Sequence, residues 1–324
     1  MRSPEFWTRD GLASSLLAPL SLAWEAAAFV RRALTRRIKA PVPVICVGNL
    51  VAGGAGKTPV ALSLGAELIR RGRRVHFLAR GYGGREAGPL RIDRRRHRAR
   101  DVGDEALLLA ALAPTWVARN RPAGARAAAA AGADIVVMDD GFQAPALIKD
   151  LALLVVDGGY GFGNRRVLPA GPLREKLRPG LARADAVVLI GPDTTHVASL
   201  LDPRPPLWRA RLVPGPEADR LIGRRVIAFA GIGRPAKFYA TLAEVGAQVI
   251  GCRDFPDHHR YTPDEVMVLC EAAAAADAVP VTTAKDWVRL PAEARPMVEA
   301  LTVSVEWEDP GALQALLQSV LGHG

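Results

Sequence analysis

Cysteine is scarce: the 324-residue chain has three, Cys46, Cys252 and Cys270. They are widely spaced and form neither a metal-ligand pattern nor an even-numbered disulfide framework, which excludes a disulfide-stapled scaffold and suits a reducing cytosol. Aromatic residues are only 6% of the chain and no basic stretch is interleaved with them, so no nucleic-acid partner is expected. Lysine is rare too, six of 43 basic residues. Neither an internal repeat nor a coiled-coil heptad is present. What the chain does have is a net charge of +10 and 49% hydrophobic residues. It is therefore globular, long enough for two domains, and suited to anionic partners such as nucleotide, phosphorylated substrate or acidic lipid. An Arg- and Ala-rich bias accounts for much of the charge, so charge alone names no partner.

The most informative stretch runs from Gly48 to Pro59, GNLVAGGAGKTP. An apolar run, Val42 to Val47, reads as a buried strand before it, and Val60 to Arg71 reads as a helix after it. Strand, glycine-rich turn and helix in that order are the setting of a P-loop. Gly53, Gly54 and Gly56, with Ala55 between them, can aim successive N–H groups at phosphate oxygens, helped by the helix N-terminus. Lys57 reaches the β- and γ-phosphates, Thr58 offers its hydroxyl to Mg²⁺, and Pro59 fits the first helical turn. One position departs from the pattern: Val51 stands where the first glycine would be.

Residues 12–30 are mostly apolar but contain Pro19, Glu25 and serines, and Arg31, Arg32, Arg36, Arg37 and Lys39 follow. Leu16, Leu20, Trp24 and Ala27 share one helical face. An apolar face beside a basic cluster suits a helix on an anionic membrane surface, and it equally suits an amphipathic helix packed on the protein. Arg73 to Ala79 reads as a strand running into Arg80-Gly81-Tyr82-Gly83-Gly84. The basic run 91–100 reads as a solvated loop. Gly103-Asp104-Glu105 opens an apolar helix, where Asp104 is either the N-cap or a chemical group. Ile135 to Asp139, followed by Asp140-Gly141-Phe142-Gln143, is a strand ending in two acids, the place where P-loop proteins hold Mg²⁺.

Leu151 to Asp157 and Ala184 to Gly191 read as further buried strands. A loop containing LPAGPLRE, residues 168–175, lies between them. Proline-rich residues 202–218 suggest a boundary, with Leu207 to Leu212 as a linking strand. Beyond it come strands Val226 to Ala230, Ala247 to Cys252, Val279 to Thr283 and Leu301 to Glu306. Thr262 and Glu265 form a capping box. The expected fold is a P-loop NTPase-type α/β/α sandwich with a second, smaller α/β domain and an N-terminal amphipathic helix. The expected divisions are 1–40, 41–205 and 206–324.

Together, VGNLVAGGAGKTP, RGYGG, GDEALLLA, DDGFQ, LPAGPLRE, AGIGRP, DHH and TAKD resemble the tetraacyldisaccharide 4′-kinase family, the lipid A 4′-kinases. The segments run from residue 47 to 286. The resemblance implies an ATP- and Mg²⁺-dependent kinase of a lipid A disaccharide 1-phosphate, bound peripherally to the anionic, cytoplasmic face of the inner membrane, with its active site between two domains. A monomer is expected. The implied catalytic groups are Asp104, His258 and Lys57. Metal contacts are expected from Thr58, Asp139, Asp140 and Glu105. Substrate contacts are expected from Arg80, Arg121, Gln143, Arg174 and Glu175. The family usually has His after GFQ and Ser before RGYGG; this chain has Ala144 and Ala79. Two other classes share a GKT turn but need residues that this chain does not supply. A partitioning ATPase needs a lysine before the two glycines, where Ala52 stands. A GTPase metallochaperone needs a guanine-reading motif, which Thr283-Ala284-Lys285-Asp286 matches poorly.

Overall fold

A computed structural model describes residues 4–201 and 205–321. Eight strands come first: β1 Val44–Gly48, β2 Val75–Ala79, β3 Leu90–Arg91, β4 Thr115–Val117, β5 Ile135–Asp139, β6 Leu151–Asp157, β7 Ala186–Ile190 and β8 Leu207–Pro214. They are followed by β9 Arg225–Ala230, β10 Gln248–Asp254, β11 Val279–Thr283, β12 Glu299–Leu301 and β13 Val303–Trp307. Two sheets result, one ordered β13-β8-β7-β6-β1-β5-β2-β4-β3 and the other β10-β9-β11-β12. In the large sheet, β1 sits in the middle, parallel to β5 on one side and β6 on the other. Only β3 and β13, at the two edges, run antiparallel to their neighbours. The central strands β1, β2, β5, β6 and β7 are buried at every position. That is why they read as continuous apolar runs: a parallel sheet covered on both faces has no wet side.

The helices are α1 Leu12–Leu34, α2 Lys57–Arg70, α3 Ala99–Val102, α4 Asp104–Leu109, α5 Arg121–Ala130, α6 Leu177–Leu181, α7 Pro235–Glu244, α8 Pro263–Ala275, α9 Ala284–Trp287 and α10 Pro310–Leu321. Helix α2 packs tightly on the sheet because Gly65 leaves room for the Phe77 ring, which an added Cβ would meet at 2.3 Å. Helix α8 starts on the expected capping box, with Glu265 N donating to Thr262 Oγ1 and Thr262 N to Glu265 Oε2.

The sheets divide differently from the expected boundary at residue 206. Strand β8, read as a linker, is a member of the large sheet. The apolar run 301–306 is two strands, not one: β12 completes the small sheet and β13 returns to pair with β8. From there Trp307 Nε1 donates to Ser63 Oγ of α2 at 2.9 Å, and Leu313 and Leu317 of α10 join the large core. The small sheet therefore lies wholly within 225–301. Residues 202–204 of the expected boundary lie outside the described residues.

Helix α1 is turned opposite to a core helix. Ser14 and Ser21 are buried, whereas Leu12, Leu16, Phe29 and Leu34 are each more than 70% exposed. Its inner face meets the 167–176 loop: Ser21 Oγ donates to Val167 O at 2.8 Å, Trp24 Nε1 to Arg174 O at 3.1 Å, and Glu25 pairs with Lys176 at 2.9 Å. Ser21 and Glu25 are thus used against protein. By length and composition alone, α1 is apolar enough to cross a membrane.

Candidate active site

The C-terminal end of β1 delivers the glycine turn, and α2 begins at Lys57. Gly56 has φ +84°, a conformation that only glycine adopts freely. Val51, at the position of the missing first glycine, has no such need. It is buried and bridges Leu173 of the 167–176 loop, and Ala52 N donates to Pro172 O at 2.8 Å. The turn is therefore entered through a short β-pairing, which a branched residue suits.

Strand β5 lies beside β1 and, running parallel to it, brings the two acids to the same end of the sheet. Thr58 Oγ1 donates to Asp139 Oδ2 at 2.8 Å, while Asp139 Oδ1 is buried with no hydrogen-bond partner. Burial, then the neighbouring charge of Glu105, pushes the Asp139 carboxyl up to about 7, against the pull of Lys57. Such a carboxylate is short of positive charge. An all-oxygen set of a threonine hydroxyl and one or two carboxylates suits Mg²⁺, which takes few protein ligands and completes its shell with phosphate and water. No cluster of three or more His, Cys, Asp or Glu that could hold a metal ion occurs among the described residues.

Asp140 has φ +49°, a strained setting for a non-glycine residue. Its Oδ1 lies 2.8 Å from Arg174 Nη1 and 3.6 Å from Lys57 Nζ. Burial alone would raise its pKa, but Lys57 and Arg174 hold it below the usual range. Gln143 accepts from Arg174 and donates to Asn49 O and to Glu175. Gln143, Arg174 and Glu175 are thus assembled around Asp140. Arg80 lines the same small cleft with Gly103, Glu105, Asp139 and Asp140. Arg121 is different. It is 5% exposed, donates to Ala118 O at 2.6 Å, and its guanidinium is pushed down to about 10 by burial. Its charge acts on Asp140 and Asp139 from within the protein. Ala144, in place of the usual His, contributes its carbonyl to Lys149 Nζ at 2.7 Å.

The second group spans the two sheets. Asp104 is the first residue of α4 rather than its N-cap, which is Gly103. Gly103 has φ +86°, and a Cβ there would meet Tyr82 O at 2.5 Å, so the RGYGG and GDE turns lie backbone against backbone. Asp104 Oδ1 accepts from Glu105 N at 2.9 Å, leaving Oδ2 for His258 Nδ1 at 2.9 Å and Arg289 Nε at 3.3 Å. His258, at φ +60°, is presented by the turn after β10, with the Tyr82 ring packed edge-on and the two ring centroids 5.3 Å apart. Burial pushes the Asp104 carboxyl up, but the His258 hydrogen bond and the Lys285 and Arg289 charges prevail and hold it at about 2. Lys285 Nζ reaches Glu105 Oε1 at 3.1 Å. A further pair crosses on the other side, where Arg234 and Lys237 meet Asp157 at 3.1 and 2.6 Å.

Arg289 and Lys285 are the residues that sequence reasoning missed. TAKD marked the segment, but Arg289 carried no signal of its own. Asp286 of that motif is fully buried and accepts from Gly231 N, Tyr261 OH, Thr283 Oγ1 and Arg289 Nη2. It holds its own domain together and has no free edge for a guanine base.

A mostly parallel sheet that carries both a glycine turn leading into Lys57-Thr58 and a Thr58–Asp139 pair at the C-terminal ends of its central strands belongs to the P-loop NTPase class of α/β proteins. Residues 13–322 match the family model described as LpxK: Tetraacyldisaccharide-1-P 4'-kinase. The tetraacyldisaccharide 4'-kinase of Rhodospirillum centenum is 58% identical over 327 residues, covering 99% of this chain and 97% of that one. That of Rhodospirillum rubrum is 53% identical over 325 residues, with 99% and 98% covered. The crystal structure of the "apo" form of LpxK from Aquifex aeolicus, in complex with ATP, superposes with a TM-score of 0.76 at 29% identity, over 96% of this chain and 100% of that one. The chain belongs to the tetraacyldisaccharide-1-P 4'-kinase family, whose kinase reaction is part of lipid A biosynthesis.

Proposed function

We propose that this chain transfers the γ-phosphate of ATP to the 4′-hydroxyl of a tetraacyldisaccharide 1-phosphate at a membrane surface. The observation that carries the reading is the Asp104–His258 pair, one residue from α4 beside the large sheet and one from the turn after β10 of the small sheet, next to a cleft that holds Glu105, Asp139 and Asp140. Phosphoryl transfer needs positioning and charge neutralisation more than covalent help. The turn amides and Lys57 hold the phosphates. Mg²⁺, held by Thr58 and Asp139 with Glu105 and Asp140 nearby, would neutralise charge on the phosphate oxygens.

Asp104 stays ionised across the physiological range and accepts the hydroxyl proton as the new O–P bond forms and the bond from the γ-phosphorus to the β–γ bridging oxygen breaks, with ADP leaving. With its carboxylate so stabilised, it acts late, when the attacking oxygen has already become acidic. The ionised Asp104 fixes the His258 proton on Nδ1. His258 in turn orients the carboxylate oxygen that takes the proton. Arg80 lines the cleft and Arg174 is bound to Asp140 beside it, and both suit an anionic acceptor. Arg121 contributes electrostatically from beneath the acid pair.

The outward leucines of α1, with the basic residues after them, form the anchoring surface: apolar burial and attraction to anionic lipid act together. The enzyme then works peripherally, as a monomer, on the cytoplasmic face of the inner membrane. The test is transfer from labelled ATP to the disaccharide 1-phosphate, with the phosphorylated position identified. ATP hydrolysis that is indifferent to the disaccharide would sink the reading.

A further inference from the structure

We propose that Arg32, near the C-terminal end of α1, is a positioning residue for phosphoryl transfer: through Glu175, Gln143 and Arg174 it sets where Asp140 stands relative to Lys57. The inference rests on the kinase reading and adds a connection between the anchoring helix and the phosphate site.

The connection is continuous. Arg32 Nη2 donates to Glu175 Oε2 at 2.6 Å, and Glu175 Oε1 accepts from Arg183 Nη2 at 2.8 Å and Gln143 Nε2 at 3.2 Å. Gln143 Oε1 accepts from Arg174 Nη1 at 3.3 Å, and the same Nη1 donates to Asp140 Oδ1 at 2.8 Å. Lys57 addresses that same oxygen from 3.6 Å. The backbone follows the same path. Arg174 N donates to Leu50 O at 2.7 Å, at the entrance to the glycine turn, and Arg174 O accepts from Trp24 of α1. Helix, loop and phosphate turn are one stack.

Glu175 is the joint. It is 6% exposed, and burial would raise its pKa, but Arg183 and Arg32 outweigh this and hold it below the usual range. An ionised, buried carboxylate with two fixed cations has one place to sit, and it fixes Gln143 in turn. Arg32 differs in this from Arg31, Arg36 and Arg37, whose residues are exposed on the same end of the chain segment. Arg174 matters because it shares Asp140 with Lys57. If Arg174 is released, Asp140 is left to Lys57, which must give up that carboxylate to grip phosphate. A displaced Arg32 is therefore felt as weaker nucleotide binding and slower transfer.

The experiment uses the full chain in detergent micelles. It measures kcat and KM with the tetraacyldisaccharide 1-phosphate, and ATP affinity by a fluorescent ATP analogue without acceptor. Arg32→Ala should lower kcat about tenfold, the usual size for loss of a residue that orients a functional side chain. It should also weaken ATP binding about threefold, a coupling of ordinary size for residues in one network. Arg32→Lys should recover part of both, keeping charge but not the fork. Arg32→Ala combined with Glu175→Gln should be little worse than Glu175→Gln alone. Arg31→Ala removes the same charge from the neighbouring position. An Arg32→Ala protein that melts normally and changes only acceptor KM or vesicle binding would make Arg32 a lipid contact and overturn the proposal. Equal losses from Arg31→Ala would do the same. The ATP arm needs no acceptor, so it decides the relay even if the wild type fails to phosphorylate the disaccharide.

Discussion

Asp139→Asn should stabilise the protein when no nucleotide or metal is bound, and the gain should grow with pH. Asp139 is 2% exposed, one of its carboxylate oxygens is unpartnered, and Glu105 lies near enough to add repulsion. Its folded pKa is about 7 against an ordinary 3.8. The folded value is the higher one, so the folded state binds the proton more tightly. The penalty is absent below about pH 4 and grows as pH rises through about 7. Such a rise bounds the penalty at high pH at about 4 kcal/mol. Relaxation in the unliganded site and the new amide group of Asn reduce the expected gain to about 1–3 kcal/mol at pH 8. Thr58 can still donate to the Asn oxygen, so the contact to α2 survives. The assay is thermal unfolding of wild type and variant between pH 4 and pH 8, with and without MgATP. The difference in melting temperature should widen by a few degrees toward pH 8 and shrink or reverse with MgATP, which the wild type alone binds fully. A pH-independent difference, or a variant less stable at pH 8, would refute the claim that an uncompensated buried charge sits there.

Lys57→Ala should lower transfer by a factor on the order of 10² or more while the protein stays folded, since the lysine faces Asp140 at the end of the glycine turn and not the apolar core; near-normal turnover would show the turn is not a working phosphate cradle. Asp104→Ala and His258→Ala should each lower kcat by about 10²–10⁴, with the double variant little worse than the poorer single one. Fully multiplicative losses in that cycle would mean two independent roles. Replacing Leu16, Leu20 and Phe29 by Ser should release the protein from anionic vesicles without lowering its melting temperature, because all three side chains point outward. Retained vesicle binding would place the anchor elsewhere.

Much of the site is local in the chain. A glycine turn is readable because its φ angles demand glycine, and Lys57 and Thr58 follow it at fixed spacing. Asp139 is readable because a buried parallel strand must be apolar until it ends. The same logic reveals most strands of the large sheet and the Thr262 capping box, whose donors and acceptors lie three residues apart. The family, too, is legible in short motifs.

What the tertiary structure alone decided is every contact made across chain distance. Nothing in residues 301–306 marks the break at Thr302, after which β13 leaves one sheet for the other; only partners elsewhere choose between the two edges. Arg289 is an ordinary helix-flanking arginine until the small sheet sets it against Asp104. Arg32 sits in a basic cluster where each arginine looks alike, and the rotation of α1 singles it out by turning it toward Glu175. The rotation itself inverts the usual rule. Ser14 and Ser21 face the protein and Leu12, Leu16, Leu20, Leu22 and Leu34 face outward, because Ser21 and Trp24 find carbonyl partners in the 167–176 loop. Apolar periodicity specifies a helical face, and the solvent on that face, water or lipid, is settled only by what the opposite face binds.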